Sequence, residues 1–242
     1  MGWCCFSMAY NDRRKTTTNI DSRHKIYGKA EMEITLCSID EPLAKAWDAY
    51  CGELQGVEIH LGNILDLKVD AVVSPANSFG FMDGGIDMVY SQHFGWKLQQ
   101  QLQSQIKHLH HGELLVGNAD IVETQDSDIP YLISAPTMRV PMILADTVNP
   151  YLAARAALLL IKHGRFQTGA REGEPISGVV RSVAFPGLGT GVGRVKPEKC
   201  ALQVGAAIKE VVLGEYEFPS SWGDAQVRHQ KMYTDDFRDM QY

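Results

Sequence analysis

Two glycine-rich stretches contain the residues whose types and spacing suit chemistry on an anionic ligand. The first runs from Ser74 to Asp87 and includes Asp83-Gly84-Gly85; the second, from Ala184 to Gly193, contains four glycines. Glycine lets the main chain approach an oxyanion closely, and successive N–H groups form an anion-binding concavity. Tight turns without a ligand are the alternative. Because each loop lies between a predicted strand and a predicted helix, we favour a phosphate-bearing nucleotide.

Because the chain is acidic overall, an anionic ligand must be held by groups that contact it directly. Lys and Arg total 23 against 29 Asp and Glu, a formal net charge of −6. A chain of this charge without a basic stripe is not expected to bind nucleic acids in general. Neither loop is a Walker loop or a dinucleotide fingerprint, because no Gly-Lys-Ser/Thr follows and no Gly-x-Gly-x-x-Gly stands at the first strand. Backbone amides and helix N-termini remain as the source of positive potential.

The elements that must position these loops alternate along the chain. Short apolar stretches predict strands at 33–37, 57–61, 70–74, 121–124, 131–135 and 179–185. Helical spacing predicts helices at 41–51, 89–106, 150–163 and 197–211, the third with Asn149 as its N-cap. This order favours one three-layer α/β domain over residues 31–215. Both glycine loops then follow carboxyl ends of strands, where ligands collect in open α/β sheets.

The two ends of the chain differ from this pattern. Residues 1–30 read as a flexible leader, and residues 216–242 as an extension that is partly helical and packs on the domain. The opening Met-Gly-Trp-Cys-Cys suggests N-terminal acylation, but Phe6 stands where myristoylation prefers Ser or Thr. We therefore favour a plain leader and keep lipid anchoring as the alternative. No apolar run has the length of a transmembrane helix.

Cysteine and histidine placement argues against a metal site. The five cysteines are scattered without zinc-ligand spacing, a pattern that suits a reducing compartment. His108, His110 and His111 lie at a predicted helix end, where a solvated terminus is favoured over metal binding. We expect no metal, no cofactor and a monomer. We expect the cytoplasm as location, with the nucleus left open.

Four segments, in the right order over roughly residues 57–212, resemble the macrodomain family, which binds ADP-ribose. Val69 to Ser78 resembles the family's "vDAIVNAANS" strand, and Met82 to Asp87 resembles its "GGGVD" loop. Ala184 to Val192 resembles its "AFPxxSTGI" phosphate loop, and Gly62-Asn63-Ile64 stands where the family has Gly-Asp-Ile. The resemblance implies a three-layer α-β-α fold with a mixed central sheet.

The resemblance also implies a role for each matching position. Asn63 and Ile64 would contact adenine, Asn77 would hydrogen-bond the distal ribose, and the second glycine loop would enclose the diphosphate. Asp87 would lie near that ribose, where hydrolytic members use it to position or activate water, so Asn77 and Asp87 are the catalytic candidates. The implied ligand-contacting residues are Asn63, Ile64, Asn77, Ser78, Gly84, Gly85, Ile86, Asp87, Gly187, Gly189, Thr190, Gly191, Val192 and Gly193.

Three residues depart from the family pattern. Asn63 replaces Asp and, being neutral, should bind adenine more weakly. Asp83 replaces the first glycine of the triplet, and we expect it to face outward because it would repel phosphate. Gly189 replaces Ser, and the aromatic residue that follows the family's phosphate loop has no counterpart near Gly193 and Arg194.

The implied function is binding of ADP-ribose or an ADP-ribosylated molecule, with two versions open. The chain either hydrolyses ADP-ribose 1″-phosphate or ADP-ribosyl esters at the distal ribose, or reads ADP-ribose without turnover; we favour the hydrolase. A third, weaker interpretation is a module that binds another nucleotide, because Asn63 departs from the Asp that the family uses to contact adenine. For Asp87, the alternative role is to cap its helix. For Asn77, the alternative role is to form an Asx-turn.

Overall fold

The computed structural model describes residues 32–237 as a six-stranded sheet between two layers of helices. The strands are β1 (Glu33–Ser38), β2 (Val57–Leu61), β3 (Ala71–Ser74), β4 (Asp120–Glu123), β5 (Tyr131–Ser134) and β6 (Ser182–Phe185). They lie in the order β2-β1-β6-β3-β5-β4, and every neighbouring pair is parallel except β4 with β5. The predicted α/β class with a mixed central sheet is therefore confirmed.

Helices cover both faces of this sheet. They are α1 (Glu41–Cys51), α2 (Gly85–Phe94), α3 (Lys97–Leu109), α4 (Asn149–His163), α5 (Pro197–Val211) and α6 (Trp222–Lys231). One core contains Trp47, Leu158 and Ile208 from α1, α4 and α5, and the opposite core contains Tyr90 and Leu102 from α2 and α3. All residues of β3 and β5 are buried, which explains their continuous apolar sequences. Within residues 32–237, no helix has both the length and the apolar character needed to cross a membrane.

Two helix predictions were wrong in detail. The helix predicted over 89–106 is divided, because Gly95 adopts φ 93°, a conformation that glycine takes readily and that ends α2. The apolar spacing continues across this break, so periodicity could not reveal it. Asn149 is the first residue of α4 rather than its N-cap, and its Nδ2 donates to the carbonyl of Thr137 (2.8 Å).

The C-terminal residues 216–237 contain α6, which Ser221 caps by accepting a hydrogen bond from Asp224 N. The buried side chain of Gln203 on α5 donates to the carbonyl of Met232 (3.1 Å), just beyond α6. Lys199 pairs with the exposed Asp235 (3.2 Å). The predicted leader and the two N-terminal cysteines lie outside the described residues.

Candidate functional site

The two glycine loops leave neighbouring strands at the same edge of the sheet. β3 and β6 are adjacent and parallel, with Val72 beside Ala184 in the register. The loops that follow Ser74 and Phe185 therefore begin side by side, although they are far apart in sequence. This edge is formed by the carboxyl ends of all five parallel strands, which is where ligands bind in open α/β sheets.

The side chain of Asn77 holds the first loop in shape. Its Nδ2 donates to the carbonyl of Phe81 (2.8 Å), and its Oδ1 accepts from the N–H groups of Phe79 (3.1 Å) and Phe81 (3.3 Å). These are the contacts of the Asx-turn alternative. Contact with a distal ribose stays a prediction for Asn77. The neighbouring Ser78 is buried, and its hydroxyl has no hydrogen-bond partner among residues 32–237.

The end of this loop presents the N-terminus of α2 to the surface. Gly84 and Gly85 are exposed, and a Cβ added at either would meet no atom within 4 Å. Gly85 adopts φ 56°, and no side chain caps α2. The first-turn N–H groups of a helix have no partner within it and carry its positive end, so they suit an anion. Asp83 is exposed here, and Ile86 is half-buried.

Asp87 lies in the first turn of α2 but turns inward. It is 7% exposed, and Ser74 at the end of β3 donates a hydrogen bond to its Oδ1 (2.5 Å). Burial raises the pKa of Asp87 to about 6, and the Ser74 hydrogen bond partly opposes this rise. Asp87 does not cap its helix, because α2 has no side-chain cap hydrogen bond. Asp87 is thus a buried carboxyl group that Ser74 holds and whose pKa lies well above its usual range.

Glycines of the second loop fall into two classes. A Cβ on Gly187 would lie 2.5 Å from Thr190 Oγ1, and one on Gly193 would lie 2.5 Å from the carbonyl oxygen of Gly189. Gly189 itself adopts φ 71°. These three glycines are needed by the loop's own packing. Gly191 is different, since it is exposed and a Cβ there would meet nothing within 4 Å.

The predicted adenine contacts lie at the far end of the same edge. Gly62 donates to the carbonyl of Ser38 (2.8 Å), which places the turn after β2 against the end of β1. Asn63 is exposed and its Oδ1 accepts from Leu65 N (3.2 Å), while Ile64 is buried. In the order β2-β1-β6-β3, this turn is two to three strand spacings, roughly 10–14 Å, from the loop after β3. The predicted residues therefore form a row that suits an elongated ligand.

The loop after β5 also joins the site, whereas the sequence around Met138 and Arg139 favoured a plain surface loop over a border of the cleft. Met138 forms a bridge with Asn77, and the carbonyl of Arg139 accepts from Ser78 N (3.2 Å). At its other end, Leu144 N donates to the carbonyl of Gly193 (2.7 Å). The loop therefore connects both glycine loops. Its apolar segment 140–143, in the connection between β5 and α4, is a further signal for this loop.

Comparisons with known proteins agree with this geometry. A family model described as Macro domain matches residues 73–204. An uncharacterized protein of Aquifex aeolicus is 29% identical over 145 residues, which cover 60% of this chain and 76% of the relative. An uncharacterized protein of Aeropyrum pernix is 26% identical over 149 residues, which cover 62% of this chain and 68% of the relative. The solved macrodomain of Mycobacterium tuberculosis DarG shares the fold, with a TM-score of 0.50 and 20% identity over 62% of this chain and 88% of that one.

Proposed function

Because this chain belongs to the Macro domain family, we propose that it binds ADP-ribose and hydrolyses ADP-ribose derivatives at the distal ribose. The binding proposal is supported by the row of residues along the carboxyl edge. Asn63 and Ile64 would hold adenine at one end, and Asn77 and Asp87 would meet the distal ribose at the other. The exposed main chain around Gly191, which lies between them in the loop after β6, and that around Gly84 and Gly85 at the start of α2 would surround the diphosphate.

Hydrolysis is supported above all by the environment of Asp87. A carboxylate with a pKa of about 6 is ionised at pH 7 and basic enough to accept a proton from water. The substrates would be ADP-ribose 1″-phosphate or ADP-ribose esterified to a carboxylate. Water oxygen would bond to C1″, the bond from C1″ to the leaving oxygen would break, and the leaving group would keep the electron pair. Asp87 would take the water proton, and fixed geometry would supply most of the rate.

A reader without turnover is the second candidate, and one observation favours it. The amide of Asn77 already makes three hydrogen bonds within its own loop, which reduces its capacity to orient a ribose. In a reader, Asn77 would only shape the loop, and Asp87 would only support the start of α2.

Calorimetric titration with ADP-ribose tests binding. We expect a dissociation constant in the micromolar range, with weaker binding by Asp87→Ala. The variant's thermal melt separates lost binding from lost folding. Absence of heat with a wild-type protein that melts cooperatively would contradict the proposal.

Turnover requires a separate experiment. The protein is incubated with ADP-ribose 1″-phosphate and with a carboxylate-modified protein, and mass spectrometry follows release of ADP-ribose. We expect release by the wild type and none by the double variant Asn77→Ala, Asp87→Ala. Binding without release by the wild type supports the reader, and release by the double variant excludes the proposed site.

A further inference from the structure

Ser74 donates the one hydrogen bond that the carboxylate of Asp87 accepts within residues 32–237. Ser74 is the last residue of β3 and is fully buried, and its hydroxyl donates to Oδ1 of Asp87 (2.5 Å). Val72, two residues earlier, lies in the core that α2 and α3 cover, so Ser74 turns to the same face of the sheet. The hydrogen bond therefore ties the end of a central strand to the first turn of α2.

The other carboxylate oxygen of Asp87 is free. In the part of the chain that the structure describes, Oδ2 makes no hydrogen bond, and it is not among the fully enclosed side-chain atoms that lack a partner. It therefore meets solvent through the small part of Asp87 that is exposed. Oδ2 is thus the oxygen of this carboxylate that a water molecule can reach.

Two further titratable groups in this core stay neutral in the pH range in which Asp87 ionises. Burial raises the pKa of Tyr90 well above its usual range and the pKa of Cys37 to about 11. The Tyr90 hydroxyl is also occupied, since it donates to the carbonyl of Val73 (3.2 Å). The pKa of Asp87 therefore reflects its burial, which raises it, and the Ser74 hydrogen bond, which lowers it.

We propose that Ser74 is a positioning residue for hydrolysis at the distal ribose. Its hydroxyl holds Oδ1 of Asp87, which leaves Oδ2 to take the proton from water and favours the charged form of the carboxylate. This inference rests on the proposed function, in which Asp87 is the general base. A hydrogen bond to a charged group is stronger than one between neutral groups, so removing this single hydroxyl has a measurable effect.

Ser134 provides the matched control for Ser74. The two residues are paired in the register of β3 and β5, and both are fully buried. Ser134 follows Leu132 of the same core by two residues, so its side chain lies on the same face of the sheet. Its hydroxyl has no hydrogen-bond partner among the described residues. Ser134→Ala thus removes a buried hydroxyl from the same layer and leaves the hydrogen bond to Asp87 in place.

The first test is an NMR titration of the side-chain carboxyl carbon of Asp87 without ligand. We expect Ser74→Ala to raise the midpoint of this titration by roughly one pH unit, because the charged form loses a hydrogen bond. Ser74→Thr, which keeps a hydroxyl, should restore the wild-type midpoint, and Ser134→Ala should leave it unchanged. Thermal melts establish that the variants fold.

The second test is the pH dependence of turnover, with ADP-ribose 1″-phosphate as the substrate. A base must be ionised to accept a proton, so Ser74→Ala should lower kcat about fivefold more at pH 6 than at pH 8. KM should change little, because Ser74 acts on the ligand only through Asp87. Ser134→Ala should keep the wild-type profile.

An unchanged carboxyl titration in Ser74→Ala, or an equal shift in Ser134→Ala, overturns this inference, while turnover by the wild type keeps the proposed function intact. A loss of kcat in Ser74→Ala that is the same at pH 6 and pH 8 also overturns it. A wild type that releases no product overturns the proposed hydrolysis, and with it the role of Ser74 in that reaction, whatever the titration shows.

Discussion

Asp87 is the residue on which the proposed chemistry depends, and its burial has an energetic consequence. The residue is 7% exposed and its carboxyl accepts a hydrogen bond from Ser74, but burial raises its pKa from 3.8 to about 6. The folded state therefore holds a proton that the unfolded state releases at lower pH. Stability from this group is present below about pH 4 and is lost as the pH rises through 6.

Replacing Asp87 by the neutral Asn tests how the buried charge affects the stability of the folded state. We expect Asp87→Asn to be more stable than the wild type at pH 7 by roughly 1–3 kcal/mol, because the amide still accepts from Ser74 and carries no buried charge. The gain should shrink as the pH is lowered toward 4. Turnover should be lost at every pH. Urea unfolding at pH 7 and pH 4 measures the first effect, and product release measures the second.

Asp83→Asn is the control, because Asp83 is exposed in the same loop and its replacement should leave stability unchanged. A less stable Asp87→Asn at pH 7 would mean that the hydrogen bond to a charged acceptor outweighs the cost of burying the charge.

At the scale of elements, the glycines of the second loop differ in role: some are needed for the shape of the loop and one is free to contact a ligand. Gly187, Gly189 and Gly193 have no room for a side chain or adopt positive φ, so the loop's own geometry explains them. Gly191 has open space around its Cβ position, and only close approach of a ligand would require glycine there. The loop thus contains three glycines that shape it and one that faces outward.

Alanine substitutions distinguish these two classes. Gly191→Ala should leave the melting temperature unchanged but weaken ADP-ribose binding roughly tenfold or more, because its methyl group would meet the diphosphate. Gly193→Ala should lower the free energy of unfolding by about 1–3 kcal/mol, because its Cβ would lie 2.5 Å from the Gly189 carbonyl oxygen. Thermal melts and titrations measure both quantities.

Gly178→Ala is the matched control, since Gly178 also has open space but ends the short helical turn Ile176–Gly178 away from the site. Unweakened binding by Gly191→Ala would argue against a phosphate at this loop.

At the scale of the whole molecule, a buried glutamine connects the domain to its C-terminal segment. Gln203 is fully buried; its Oε1 accepts from Tyr151 N (3.1 Å), and its Nε2 donates to the carbonyls of Thr147 (2.9 Å) and Met232 (3.1 Å). Two of these partners belong to the domain and only Met232 to the C-terminal segment. The domain should therefore keep most of this network without the extension.

A chain that ends after residue 215 tests this expectation. It should fold cooperatively, bind ADP-ribose like the full chain, and melt about 2–4 °C lower. The hydrogen bond from Gln203 to Met232, of about 1 kcal/mol, is lost, and the pair of Lys199 with the exposed Asp235 adds little. Calorimetry and titration measure these effects. Non-cooperative unfolding would show that residues 216–242 are part of the domain.

Much of this protein could be predicted from the sequence, because the relevant signals are local. Short apolar strands such as Ala71–Ser74 are recognisable since both faces of the sheet are covered, and Pro197 marks the start of α5 because its missing N–H is tolerated there. The two glycine loops are also local, since turns and anion-binding amides need glycine at particular positions. These signals were sufficient for the α/β class and for the family.

Only the tertiary structure decided how these parts meet. Strand order brings the loops after β3 and β6 together, and no local pattern encodes that order. The burial that raises the pKa of Asp87, and the loop after β5 that bridges Asn77 to Gly193, likewise depend on contacts between distant segments. The sequence by itself determined the α/β class and the family, and it predicted which residues would touch a nucleotide. The fold decided their order along the sheet edge and their surroundings, because hydrogen bonding, burial and charge depend on neighbours in space.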